Sequence, residues 1–338
     1  MVKVMNPYQQ NLRDVNLPDL SVLYGANILV TGSTGLIGSC LTELLTIYAE
    51  EYGYEVYAGC RNVERARSKF SPSEHLHYVL IDVTVPLQCD IKFDYIIDAA
   101  SNGSPNFFAS DPVGVMKANL MGVCNLLDYG IDHGLKRLVY ISSGEVYGEG
   151  CGDRWRETDS GYINTMSQRA CYPSSKRAAE TLCVAYAEQY GIDISVARLC
   201  HTYGPNFTES DNRVYAQFIR NVLNGDDIVL KSKGEQYRSW LYVVDCAAAL
   251  IYVLVKGENK AAYNVADEQS NITIRELAET IASIVDKTVI FDLPQVQPTV
   301  ETPITKAVFD TTKLMALGWN ATYPIEMGIK NTIETLLE

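Results

Sequence analysis

The chain has 338 residues, 47% hydrophobic and 20% charged, which suits a soluble globular protein of one large domain or two packed ones. A formal charge of −13 excludes general nucleic-acid binding, which needs a basic surface, but leaves room for a local basic pocket facing an anionic ligand. Nine cysteines without a C-x-x-C pair point to a reducing, cytoplasmic compartment, and neither an apolar signal core nor a membrane-length run is expected.

Residues 1–24 are polar and mixed and form an N-terminal extension: a short helix lying on the domain, a partner contact or a loose arm. The β-branched run Ile28-Leu29-Val30-Thr31 predicts the first strand. Gly32-Ser33-Thr34-Gly35-Leu36-Ile37-Gly38 follows at once, and Leu41 to Tyr48 reads as a helix. Gly32 permits a tight turn, Gly35 lets the backbone approach an anion, and Gly38 lets helix and strand pack closely. Free N–H groups at the start of the helix would then face a pyrophosphate. The spacing is G-x-x-G-x-x-G rather than G-x-G-x-x-G, and an ordinary strand-to-helix turn is the plain alternative. The flanking strand and helix favour nucleotide binding, with Gly32, Thr34, Gly35, Leu36, Ile37 and Gly38 as candidate contacts.

Glu55 to Gly59 reads as the second strand, ending at Cys60-Arg61-Asn62. Many NAD-binding domains carry an acid here for the ribose 2′-hydroxyl. Arg61 can instead pair with a 2′-phosphate, which leans the choice toward NADP over NAD; otherwise it caps a solvated strand end. Tyr78 to Val83 predicts a third strand, with Asp82 at its carboxyl end placed to meet an adenine amino group and Val83 a further candidate cofactor contact. Tyr95 to Ala100 predicts a fourth, with Ala99, Ala100 and Ser101 at a small-residue exit where a cofactor can pass. Asn119, within a helical stretch from Asp111 to His133, and Leu199 complete the candidate cofactor set. Strands and helices alternating in this way predict an α/β fold, a Rossmann-type doubly wound parallel sheet with ligands beyond the carboxyl ends of its strands.

Ser142 and Ser143 close a fifth strand over 138–142, and Glu145 follows. Tyr172 and Lys176 lie four residues apart at the start of a helical stretch reaching Tyr190, so both side chains share one face. A phenol titrating near about 10 is a poor base at neutral pH, and lowering it by about 3 units takes about 4 kcal/mol. Nearby positive charge, from the lysine and an oxidised nicotinamide, is the natural source. Ser143 would share the substrate hydroxyl during proton removal. Alone, Tyr172 and Lys176 would be surface residues; with the glycine loop and the serine they favour hydride chemistry.

These motifs resemble the extended short-chain dehydrogenase/reductase family that modifies nucleotide sugars. So do Arg198-Leu199-Cys200-His201-Thr202-Tyr203-Gly204-Pro205 and Arg238-Ser239-Trp240-Leu241-Tyr242-Val243-Val244-Asp245. Arg169-Ala170-Cys171-Tyr172 and Asp211-Asn212-Arg213-Val214 look most like UDP-glucuronate decarboxylases, and dTDP-glucose 4,6-dehydratases come next. The resemblance implies a nucleotide-diphosphate sugar substrate, an NAD or NADP cofactor, no metal, and transient oxidation at sugar C4. Tyr172 would be the base and Lys176 its partner on the nicotinamide ribose.

A similar dehydratase would carry an acid where this chain has Gly144, so dehydration loses its general acid. Glu145 remains as a proton shuttle suited to decarboxylation, or as a residue hydrogen-bonded to backbone. Simple 4-epimerisation needs neither acid. If NADP is the cofactor, net reduction of a keto-sugar is a rival, and a dinucleotide-sensing binding protein is the non-enzyme alternative. Substrate contacts are expected from Ser104, Ser143, His201, Arg213 and Arg238. The guanidiniums are the better diphosphate clamps, because a guanidinium holds phosphate oxygens in a fork.

The expected division is a dinucleotide-binding domain over 25–200, to which 239–266 return, and a substrate lobe from 201–238 and 267–338. The run from Cys246 to Val255 reads as a buried helix, 272–285 as a helix capped by Thr273 and Glu276, and 310–319 and 325–337 as packing helices. The resemblance also implies a homodimer built on the helices of 111–133 and 172–190.

Overall fold

The computed structural model describes residues 5–150, 152–293 and 306–338; the rest of the N-terminal extension (1–4) and of the smaller lobe (294–305) lies outside the described residues. Helix α1 (Pro7–Asp14) opens on a capping box between Asn6 and Gln9. Then come β1 (Asn27–Thr31), α2 (Leu36–Tyr52), β2 (Glu55–Cys60), α3 (Val63–Lys69), β3 (Leu76–Leu80), β4 (Tyr95–Asp98), α4 (Pro105–Ser110), α5 (Pro112–His133), β5 (Arg137–Ser143), α6 (Cys171–Tyr190) and β6 (Asp193–Leu199). The chain continues through β7 (His201–Tyr203), α7 (Val214–Leu223), β8 (Ile228–Leu230), β9 (Tyr237–Tyr242), α8 (Val243–Lys256), β10 (Ala261–Val265) and β11 (Asn271–Thr273). It ends with α9 (Ile274–Ile284), β12 (Val289–Phe291), β13 (Lys306–Ala307), α10 (Thr312–Met315) and α11 (Ile325–Leu337).

Seven parallel strands form the main sheet in the order β10-β6-β5-β4-β1-β2-β3. Ile28, Leu29, Val30, Ile96 and Ile97 are all fully buried, because helices cover both faces and leave no polar side for the strands to alternate toward. The strand order reverses between β1 and β4, and a crevice opens at such a switch point beyond the carboxyl ends of the strands. Helix α8 packs against α2, β5 and β6 and is buried almost throughout, as its unbroken apolar run predicts. A smaller sheet centres on β9, which pairs with β7, β11 and β13, and β8 pairs with β12.

Three element boundaries differ from expectation for local reasons. Helix α2 starts at Leu36 rather than Leu41, directly after Gly35 as its N-cap. Strand β3 stops at Leu80 rather than Val83, because Asp82 turns the chain by accepting from the N–H and hydroxyl of Thr84 at 2.9 and 2.7 Å. The helix expected over 310–319 shortens to α10, since the N–H groups of Leu317 and Gly318 bond back only three residues and Gly318 takes φ +96°. The N-terminal extension is docked: Tyr8, Leu12 and Val15 are buried, and the Tyr323 hydroxyl donates to the Asn11 carbonyl at 3.1 Å. Among the described residues no helix is long and apolar enough to cross a membrane.

Candidate active site

The glycine loop lies at the switch point. Gly32 has φ +61°, and a Cβ there would stand 2.6 Å from the Ala99 carbonyl oxygen after β4, so only glycine fits. A Cβ on Gly38 would collide with the Gly32 carbonyl, which is the close strand-to-helix packing expected of it. Gly35 differs: its Cβ would meet nothing nearer than the Gly32 oxygen at 3.3 Å. The protein itself therefore leaves room at Gly35. No side chain caps α2, and the first N–H groups of a helix have no partner within it. These features fit the pyrophosphate of a dinucleotide.

Around the loop, Leu36 is buried and reaches toward Gly204, while Thr34 and Ile37 are half-buried. Leu199 is buried at the carboxyl end of β6. Arg61 and Asn62 are exposed at the end of β2, and Asn62 caps α3 by accepting from the Arg65 N–H at 2.9 Å. The Asp82 carboxyl is held low by its bonds from Thr84, with a further pull from the Arg61 charge. The Val83 side chain packs in the core beside Gly122. Asn119 is buried, accepting from the Ser101 hydroxyl at 2.7 Å and donating to the Ser175 hydroxyl at 2.9 Å.

Ser143 ends β5, and Tyr172 and Lys176 stand in the first turns of α6, so the expected trio converges. Tyr172 is 8% exposed and stacked on Phe108 with ring centroids 4.7 Å apart. Burial pushes its phenol up to about 12. Ser143, Arg213 and Arg169 pull it down, and Glu145 pushes it further up. The Lys176 ammonium donates to the Ile141 carbonyl at 2.6 Å and lies 5.9 Å from the Tyr172 ring. Burial lowers Lys176 to about 8. Burial thus dominates the phenol in the protein on its own, in the direction opposite to the lowering expected of its surroundings.

Glu145 sits in the turn after β5 and accepts from Arg169 Nη2 at 2.6 Å. Arg169 also lies over the Phe108 ring. Ser104 donates to Asn212 Oδ1 at 2.6 Å, which ties the loop before α4 to the loop before α7. The Arg213 guanidinium is forked onto the Asp211 carboxylate, with Nε at 2.9 and 3.1 Å from its two oxygens, while its charge is also felt at Tyr172 and His201. Arg238 is buried, donates to the Tyr237 carbonyl at 3.0 Å, and feels the Glu145 charge. His201 is open to solvent yet has protein on most sides, as a cleft-lining residue does. That depth, then Arg238 and Arg213, lowers it to about 4, so it is neutral near pH 7 and offers hydrogen bonds without charge.

One neighbour of the site has no local signal in the sequence. A Cβ on Gly144 would collide with the ring of Phe309, which follows β13 and packs with Val146, Tyr147 and Trp155. The position of an acid in a dehydratase-like site is therefore filled by an aromatic ring from the far end of the chain. Among the described residues, no group of three or more His, Cys, Asp or Glu side chains is placed to hold a metal.

The arrangement agrees with three comparisons. A UDP-glucuronic acid decarboxylase of Danio rerio is 33% identical over 311 residues, spanning 91% of this chain and 72% of that protein. A UDP-glucose 4-epimerase of Thermotoga maritima, solved with UDP-glucose, superposes with a TM-score of 0.77 at 25% identity over 92% of this chain and all of that one. A Thermus thermophilus UDP-glucose 4-epimerase in complex with NAD gives 0.75 at 26% identity, over 92% and 99% of the two chains. The profile of the NAD dependent epimerase/dehydratase family matches residues 28–266, and the chain belongs to that family.

Proposed function

We propose that the chain oxidises C4 of a UDP-sugar transiently and that its net reaction is decarboxylation of a UDP-glucuronate-type substrate. The observation that carries this reading is the sealed Gly144 beside a retained Ser143, Tyr172 and Glu145. The dinucleotide, when bound, supplies the hydride acceptor and later donor, together with the positive charge that offsets the burial of the phenol. Tyr172 removes the C4 hydroxyl proton while Ser143 holds that hydroxyl. The ketone at C4 makes the C5 carboxylate a β-keto acid, so the C5–carboxylate bond breaks with loss of carbon dioxide and its electron pair delocalises onto the C4 oxygen. Glu145 is the candidate to manage the proton that returns to C5. Tyr172 then gives its proton back to the C4 oxygen as hydride returns to carbon.

Arg238 is the candidate diphosphate clamp, His201 a neutral donor beside it, and Ser104 a sugar contact. Gly32, Thr34, Gly35, Leu36, Ile37, Gly38, Ala99, Ala100, Ser101 and Leu199 would hold the cofactor, with Asn119 acting through Ser101. Exposed Arg61, without an acid at the end of β2, supports NADP over NAD. The two lobes divide the work, the main sheet taking the dinucleotide and the smaller one the sugar nucleotide. We also place the protein in the cytoplasm as a homodimer through α5 and α6, which carry exposed Val113, Met116, Met121 and Val184.

The 2.6 Å ion pair between Glu145 and Arg169 favours one second reading, 4-epimerisation, in which Glu145 does no proton work. Purified protein is incubated with UDP-, dTDP-, GDP- and CDP-sugars and the products are read by mass spectrometry. Loss of carbon dioxide from the glucuronate supports the proposal, an isomer of unchanged mass supports epimerisation, and loss of water contradicts both.

A further inference from the structure

We infer that Asp98, at the carboxyl end of β4, is the counter-ion of the Lys176 ammonium and, through it, a positioning residue for the Tyr172 phenol. The inference rests on the roles proposed above for Tyr172 and Lys176. Lys176 is 2% exposed and Asp98 4% exposed. A buried ammonium without a carboxylate to match it is strongly unfavourable, as is the reverse.

Two carboxylates act on Lys176, Asp98 and Glu180. Glu180 already has a cation of its own, because Arg198 reaches it with Nε at 3.0 Å and Nη2 at 2.7 Å, and Ser142 donates to it as well. Asp98 has no such match. Its hydrogen bonds come from neutral groups, the Thr31 hydroxyl at 2.6 Å and the Ala100 N–H at 3.3 Å, and both fall on Oδ1.

The sheet register sets the groups in one buried neighbourhood, with no direct ion pair between Asp98 and Lys176 among the described residues. Thr31, Asp98 and Tyr140 stand in line across β1, β4 and β5, and the Lys176 ammonium lies 4.6 Å from the centre of the Tyr140 ring. The other titratable neighbours are Cys183 on α6 and Tyr172 one turn before Lys176. The Tyr140 hydroxyl is buried with no hydrogen-bond partner among the described residues. Burial pushes the Asp98 carboxyl up, and Thr31, Lys176 and the Ala100 N–H pull it back. Burial takes Lys176 down, and Asp98 is the foremost charge opposing that fall.

The pair is tested with the full chain by a thermal-denaturation cycle of the unmutated protein, Asp98→Asn, Lys176→Met and the double variant at about pH 7. Asparagine keeps an oxygen for Thr31 and Ala100. Asp98→Asn is expected to lower Tm when Lys176 is present, and to leave it unchanged or raise it when Lys176 is methionine. An equal loss in both backgrounds overturns the pairing. This cycle reads the pair whether or not a sugar nucleotide is turned over, so its failure is distinct from failure of the proposed reaction.

The positioning role is read from kcat against pH. Asp98→Asn should move the alkaline limb down by at least about one pH unit, so that activity near pH 8.5, relative to that near pH 6.5, falls about tenfold below the unmutated ratio. A profile scaled uniformly at every pH overturns that role.

Discussion

Burial of the Tyr172 phenol raises it to about 12, so the sign needed for a base at neutral pH must come from charge brought in by the ligands. Tyr172→Phe keeps the stack on Phe108 and removes only the hydroxyl. It should lower kcat by about a hundred- to ten-thousand-fold while dinucleotide binding, followed by fluorescence titration, stays near the unmutated value. Turnover at the unmutated rate would refute the base assignment.

Gly144 invites a second test, because its missing Cβ is the space the Phe309 ring fills. Gly144→Asp should cost about 1–3 kcal/mol in denaturation without adding dehydration, and an unchanged unfolding midpoint would count against this packing. Ser143, Tyr172 and Lys176 were legible in the sequence because a strand end and a one-turn helical spacing are local patterns. Phe309 was not, since its place beside Gly144 depends on how β13 joins β9. The internal fork of Arg213 on Asp211 was equally hidden, as a two-residue spacing in a loop does not say which way a guanidinium turns.

Helices and strands with strong periodic patterns were readable, whereas their ends were decided by single turns such as that of Asp82. Helix α9 begins where Thr273 and Glu276 predicted, because the capping box is a local hydrogen-bond exchange. The role of α1 was not readable, because it rests on contacts with elements distant in sequence. Its Tyr8 hydroxyl accepts from Asn206 Nδ2 at 2.9 Å and acts electrostatically on Glu43 of α2.

That contact has a pH signature. Burial raises the Glu43 carboxyl from 4.5 to about 7, with Tyr8 and Lys69 opposing it. Between those values the folded chain holds more protons than the unfolded one. The contribution is therefore fully present below about pH 4.5 and is lost as pH rises through about 7, by up to about 3 kcal/mol. Glu43→Gln should flatten the fall of Tm between those limits, and parallel curves for the two proteins would remove Glu43 as its source.

At the scale of the molecule, the parallel sheet gathers the carboxyl ends of β1, β4, β5 and β6 at one edge. Helix α8 and β10 lead the chain from the smaller sheet back to that framework. Assembly would cover apolar surface. Met116 and Met121 on α5 and Val184 on α6 are 38%, 44% and 41% exposed, and the two helices pack side by side, so a second copy can extend them into a four-helix arrangement. Placing carboxylates there, as Met121→Glu with Val184→Glu, buries charge at such an interface without touching Ser143, Tyr172 or Lys176. Sedimentation should then show half the mass of the unmutated protein, with kcat per chain held within about twofold. An unmutated protein that sediments as a single chain at micromolar concentration would remove the dimer proposal and leave the site intact.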